Sequence, residues 1–118
     1  MDDKTVVKES TIQINIGLNA ENIPIAMDWF STDNPDKIDV APCKAMLLSL
    51  FDSDHKDTLK IDLWTNEMQV QEMDRFMFQT MRGLADTYFK ATQNKDLAVD
   101  MQKFVQYFGE KTELIPKS

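Results

Sequence analysis

The chain predicts an α+β fold in two layers: a four-stranded antiparallel sheet followed by a two-helix hairpin packed on one face of the sheet. Two observations carry this. Thr58-Leu59-Lys60-Ile61-Asp62-Leu63-Trp64 alternates apolar and polar residues with period two, the spacing of a strand with one buried face. From Val70 the apolar residues switch to recurrence at threes and fours and keep it, with one break, to Phe108. Thr65-Asn66 is the hinge between the two periods.

Residues 1–8 read as an N-terminal arm. The first strand, Thr11 to Leu18, alternates cleanly: Ile12, Ile14, Ile16 and Leu18 face one way, Gln13 and Asn15 the other. Asn19 to Asn22 is a short polar connector, so a hairpin is the simplest continuation. The second strand, Ile23 to Phe30, places Ile25, Met27 and Trp29 on the face shared with Ile14. Pro24 cannot donate to a ladder and belongs at a strand start or an edge. Ser31 to Pro42 is the longest connector; loops of this length are often functional or mobile, and a solvated crossover is the favoured reading. Lys44 to Asp52 is a third strand, apolar on both faces as a covered central strand is. After the polar turn Asp52 to Asp57, Leu59, Ile61 and Leu63 form the inner face of the fourth strand, with Lys60, Asp62 and Trp64 outside.

The first helix is expected from about Gln69 to Thr92, with Val70, Met73, Met77, Met81, Leu84, Tyr88 and Ala91 as its buried stripe and Phe76 widening it. Gly83 inside it costs about 1 kcal/mol relative to Ala, and reads as a point of close backbone approach. Gln93-Asn94-Lys95 breaks the helix, and Asn94 or Asp96 caps the next one. There the stripe is Leu97, Met101, Phe104, Val105 and Phe108. Gly109 is a stop signal, and residues 110–118 form a polar tail expected to fray. The whole, residues 1–118, is read as a single domain, with the sheet over 9–66 and the helical hairpin over 69–109.

A net charge of −7 argues against nucleic acid and against an anionic membrane surface, both of which call for clustered Lys and Arg. It suits a soluble protein meeting basic or unfolded partners. Cys43 is the only cysteine, so no internal disulfide forms, which fits a reducing compartment. The acidic start Met1-Asp2-Asp3 is followed by no apolar h-region and no run approaches spanning length, so the expected location is cytoplasmic, without membrane insertion.

No catalytic constellation is evident. Asp52-Ser53-Asp54 invites a calcium reading, but an EF-hand count from Asp52 puts Lys56 at position 5, Asp57 where Gly is needed and Leu63 at the bidentate position, so the pattern fails. His55, the only histidine, lies among acids and a lysine in the same turn. Cys43 has no histidine or second cysteine to work with and reads as a structural thiol. Asp28, Asp33, Asp36 and Asp39, in and before the long connector, are solvated rather than paired. No metal, cofactor or catalytic residue is expected, and the chain is read as no enzyme.

Surfaces are the better lead. The methionines Met73, Met77, Met81, Met101, Met27 and Met46 are core filling, or the adaptable lining that promiscuous binders use. The sheet face turned away from the helices keeps Phe30 and Trp64, with either Leu47 and Phe51 or Leu48 and Leu50, a patch large for a monomer. Phe78, Ala85 and Phe89 form a second exposed set on the helix face away from the stripe. The candidate protein-interaction surface is therefore Phe30, Leu47, Phe51, Trp64, Phe78 and Phe89, buried by self-association, as a homo-oligomer, or by a partner protein.

The segments Leu59 to Thr65, Met68-Gln69-Val70, Glu72 to Phe76 and Gly83 to Thr87, together with Ile23-Pro24 and Trp29 to Asp33, resemble the gliding motility protein GldC family of gliding Bacteroidetes, from about Ser10 to Phe108. The resemblance implies a small accessory protein of cell movement over surfaces, a process linked in these bacteria to a protein secretion machinery, acting from the cytoplasmic side. It carries no catalytic residues. The order of four strands then two helices is also similar to that of SecB-type export chaperones, acidic self-associating binders of unfolded chains. That order offers an alternative function, a holdase or adaptor for exported proteins.

Overall fold

Alternation in the first strand translates directly into pairing. β1 (Ile12–Leu18) runs antiparallel to β2 (Pro24–Ser31) in the computed structural model, which describes residues 3–33 and 40–117. Ile14 lies opposite Trp29 and Ile16 opposite Met27, so the expected apolar face forms, with Met27 buried. On the reverse face Gln13 Nε2 donates to Asn15 Oδ1 at 2.8 Å, and Asn15 Nδ2 donates to Asp28 Oδ1 at 2.7 Å. The register shifts between Gly17 and Leu18, which leaves Ile25 as the extra residue of a bulge and brings Pro24 to the strand start. The arm is tied in at its end: Thr32 N–H donates to Thr11 O at 3.0 Å, and Lys8 Nζ lies 3.5 Å from Asp33 Oδ1.

The sheet departs from the expected single four-stranded layer. There are two sheets among the described residues, one of three strands in the order β1-β2-β3 and one of two, β4-β5. β3 (Ala41–Cys43) arises inside what the sequence presents as connector, and β4 (Ala45–Phe51) is the expected third strand. The cause is the bend at Lys44. Before it the chain pairs with β2, placing Cys43 opposite Met27; after it the chain pairs with β5 (Thr58–Trp64), placing Ala45 opposite Trp64. One extended segment is thus shared between two ladders. Pro42, which lacks an N–H, sits in the short outer strand β3, where a missing donor is tolerated. Thr65 N–H donates to Lys44 O at 2.8 Å and Asn66 N–H to Pro24 O at 3.1 Å, closing the unit that spans Met1–Met68. Of the acidic residues of the long connector, Asp36 and Asp39 lie outside the described residues.

The second unit, Gln69–Ser118, is the helical hairpin: α1 (Val70–Thr92) and α2 (Lys95–Lys111). Gln69 N–H donates to Glu72 Oε1 at 3.0 Å, satisfying an amide at the first turn. α1 ends at Gln93 in the left-handed region, φ 58°, and Asn94 Oδ1 accepts Leu97 N–H at 3.1 Å to start α2.

The buried face of this hairpin is not the face the large side chains mark. Phe78 and Ala85 of α1 are buried, with Ala98, Val105 and Gly109 of α2. Of the expected stripe, Val105 is buried and Met73, Met77, Met81, Tyr88, Met101 and Phe108 are half-buried, whereas Val70 is 79% exposed and Leu84 and Phe104 are each 54% exposed. Gly109 leaves the space that Phe78 fills, and the small residues Ala85 and Ala98 are buried as well. Gly109 is therefore a packing residue within α2 rather than its stop signal. A Cβ built on it meets Phe78 Cε1 at 2.6 Å and Ile115 Cδ1 at 2.9 Å. Gly83, expected at a close approach, meets nothing within 4 Å. Beyond α2 the chain does not fray at once. Glu113 turns through φ 62°, Leu114 N–H donates to Gly109 O at 2.9 Å, and Ile115 folds back on Gly109.

Candidate interaction surfaces

Register in the β4-β5 hairpin sorts its side chains into two faces. Ala45 lies opposite Trp64, Leu47 opposite Asp62, Ser49 opposite Lys60 and Phe51 opposite Thr58; these share one face. Met46 with Leu63, Leu48 with Ile61, and Leu50 with Leu59 share the other. The alternative left open by the sequence is resolved: Leu47 and Phe51, not Leu48 and Leu50, accompany Trp64. Phe51 is 69% exposed and Trp64 53% exposed, while Leu47 is half-buried. Between them runs an ion pair, Lys60 Nζ to Asp62 Oδ2 at 2.9 Å, which holds the Asp62 carboxyl below the usual carboxylate range, first through the hydrogen bond and then through the charge. Beside Trp64, residues Ile23, Pro24, Asp62, Leu63 and Asn66 line a shallow depression of about 350 Å³.

The other candidates are dispersed. Phe30 is half-buried opposite Gln13, on the polar face of the three-stranded sheet rather than on the hairpin. Phe89 is partly exposed on α1. Phe78 is the correction: expected at the surface, it is buried against Gly109, whose missing side chain leaves room for the ring. Arg82 lies over its ring, 5.1 Å from the centroid, and shields the remaining edge.

Exposed apolar residues that the pattern puts inside are as prominent: Ile12 and Leu18 on β1, Leu59 on the hairpin's second face, and Leu97 on α2; Leu50, left open by the sequence, is exposed beside Leu59. Parity and helical spacing identify which residues share a face, but the face of Leu50, Leu59 and Ile61, which alternation in β5 marks as the inner one, is exposed as well, so spacing carries no signal for which face stays open.

Among the described residues, the ionisable groups form no metal-binding cluster. Asp52 Oδ2 accepts His55 N–H at 2.7 Å and Asp54 N–H at 3.2 Å, and lies 2.9 Å from His55 Nδ1. That carboxylate is spent on its own exposed turn. Its pKa is held down chiefly by the backbone hydrogen bond from His55. Burial, and then the charge of Asp28, push the Cys43 thiol up, so it stays protonated at neutral pH and is a poor nucleophile. Among the described residues, no group of three His, Cys, Asp or Glu side chains is placed to hold a metal ion, and no helix is long and apolar enough to cross a membrane.

No curated protein and no solved structure matches the chain. The sequence does match the family described as gliding motility-associated protein GldC-like, over residues 24–114. That span opens at the first residue of β2 and includes β2 to β5, both helices and the returning segment at Leu114. With the match covering well over half of its length, the chain belongs to the GldC-like family of gliding motility-associated proteins.

Proposed function

We propose that this protein is a non-enzymatic accessory component of gliding motility that acts through protein contacts from the cytoplasmic side, on parts of the gliding or secretion machinery, and that it self-associates. One observation carries the reading. Large apolar side chains stand at the surface of the β4-β5 hairpin, Phe51 and Trp64 foremost, around an ion pair of Lys60 with Asp62, while no metal-binding cluster is present among the described residues and Asp52 is engaged in its own turn. Buried aromatic anchors supply most of the energy of protein interfaces, so exposed ones flanked by satisfied polar groups suit a docking role. No cofactor is required by it.

The test is a gliding assay in cells carrying Phe51→Ser with Trp64→Ser, at unchanged protein level. Slowed or abolished spreading, with loss of a photo-crosslink to a machinery component from a probe placed at Ser49 on the same face, supports the reading. Normal spreading overturns it.

A holdase or adaptor for exported proteins is the second reading, favoured by the exposed apolar residues on both units of an acidic chain. Suppression of aggregation of a denatured client at near-stoichiometric amounts, lost in the same double variant, distinguishes it from the first.

A further inference from the structure

β1 is the outer strand of its sheet, and its sequence Ile-Gln-Ile-Asn-Ile-Gly-Leu holds no charge and no proline. An open row of amides and carbonyls templates another strand, and edges are ordinarily guarded by Lys, Pro or charge for that reason. Such guards are present elsewhere, with Pro42 in β3 and Lys60 and Asp62 in β5. β4 is also free of charge, but its first four residues are half-buried, whereas six of the seven β1 residues are exposed.

The phase of the ladder shows which backbone groups are open. Thr11 O accepts Thr32 N–H at 3.0 Å, and the β1-β2 register continues from that pair. Bonded residues alternate along an antiparallel ladder. Thr11, Gln13, Asn15 and Gly17 therefore turn their backbone groups toward β2, and Ile12, Ile14, Ile16 and Leu18 turn theirs outward.

The strand is also symmetric in character about Asn15. A two-fold axis there sets Ile14 opposite Ile16 of a second copy, Ile12 opposite Leu18, Gln13 opposite Gly17, and Asn15 opposite its own equivalent. The bonded pairs then fall on Ile14/Ile16 and Ile12/Leu18, the residues whose groups point outward. Apolar side chains meet apolar side chains on one face and neutral polar ones meet on the other. In a chain of net charge −7, a self-contact through a charged strand sets like charges opposite one another, which β1 avoids.

We propose that β1 pairs antiparallel with β1 of a second copy about Asn15, joining the two three-stranded sheets into one continuous sheet. This rests on the self-association reading above and names its surface. The contact extends the apolar face of Ile14, Ile16 and Trp29 across the axis. A single strand pair is small beside the roughly 1,600 Å² of a standard interface, so the dimer dissociates in the micromolar range.

The experiment uses the full chain. Sedimentation equilibrium is expected to give a monomer–dimer equilibrium. In a Cys43→Ala background, mild oxidation is expected to cross-link Asn15→Cys into a covalent dimer, because opposed non-bonded residues approach to about 4.5 Å between Cα atoms, within disulfide reach. Gln13→Cys is expected not to cross-link, since its equivalent lies about 13 Å away along the strand. Both positions are exposed, and circular dichroism verifies that the variants fold. A chain that stays monomeric at high micromolar concentration overturns the pairing together with self-association, and leaves the edge for a strand of another protein. A dimer in which neither variant cross-links, or in which Gln13→Cys does so as readily as Asn15→Cys, overturns this pairing alone.

Discussion

The ring of Phe78 occupies the space that a side chain on Gly109 would need: a Cβ there sits 2.6 Å from Phe78 Cε1. Two effects oppose each other in Gly109→Ala. Helix propensity favours Ala by about 1 kcal/mol. Overpacking against a buried ring and the Ile115 side chain costs about 1–3 kcal/mol, and both neighbours are held in place, so overpacking wins. Gly109→Ala is expected to destabilise the helical unit in urea unfolding, and Phe78→Leu is expected to relieve most of that penalty. Additive losses in the double variant contradict this account of the contact.

The start of α2 depends on one side chain. Asn94 Oδ1 accepts Leu97 N–H at 3.1 Å. Asn94→Ala is expected to cost about 1 kcal/mol, and Asn94→Asp to retain most of the stability because a carboxylate both caps the helix and complements its dipole. Chemical unfolding of the two variants side by side checks the order.

Cys43 is expected to alkylate more slowly than an unstructured cysteine at neutral pH, with the rate rising only at higher pH. Burial is the larger cause and Asp28 the smaller. Asp28→Asn therefore recovers only the minor part of the lost reactivity. Iodoacetamide labelling followed by mass spectrometry across a pH series reads both effects, and a rate equal to that of a free thiol contradicts the assignment.

The acid limb of stability is set in part by the turn at Asp52. Its folded pKa lies below the unfolded value, so its contribution is present above the unfolded pKa, about 4, and is lost as pH falls through the folded pKa. Asp62, held down by Lys60, acts in the same direction. Denaturant midpoints are expected to fall as the solution is acidified below about pH 4, and Asp52→Asn to flatten that slope. An unchanged slope in Asp52→Asn removes this turn from the acid response.

Legibility differed between strands and helices for a physical reason. Strand parity is rigid: once Ile14 faces one way, Ile12 and Ile16 must follow, and the observed pairs Ile14/Trp29 and Ile16/Met27 realise the faces that alternation dictates. The break at Lys44 left no comparable mark, because an extended residue that changes partners keeps its period. The spacing of large side chains marks one helix face, whereas the buried positions include small residues. Ala85, Ala98 and Gly109 weigh little in any hydrophobic periodicity and are nonetheless buried, and Phe78, which the spacing of large side chains puts outside, lies inside against Gly109. Among the candidate surface residues, Leu47, Phe51 and Trp64 share a face as parity allows, but no local pattern places Phe30 on a separate sheet.

Lys44 has a mechanical consequence. The residues on either side of it are committed to different neighbours, Cys43 to Met27 and Ala45 to Trp64. A slip of one position along either hairpin would drag the shared segment with it and turn Met27 or Leu63 outward. Each hairpin thus acts as the ratchet stop of the other, and the two are expected to melt as one block.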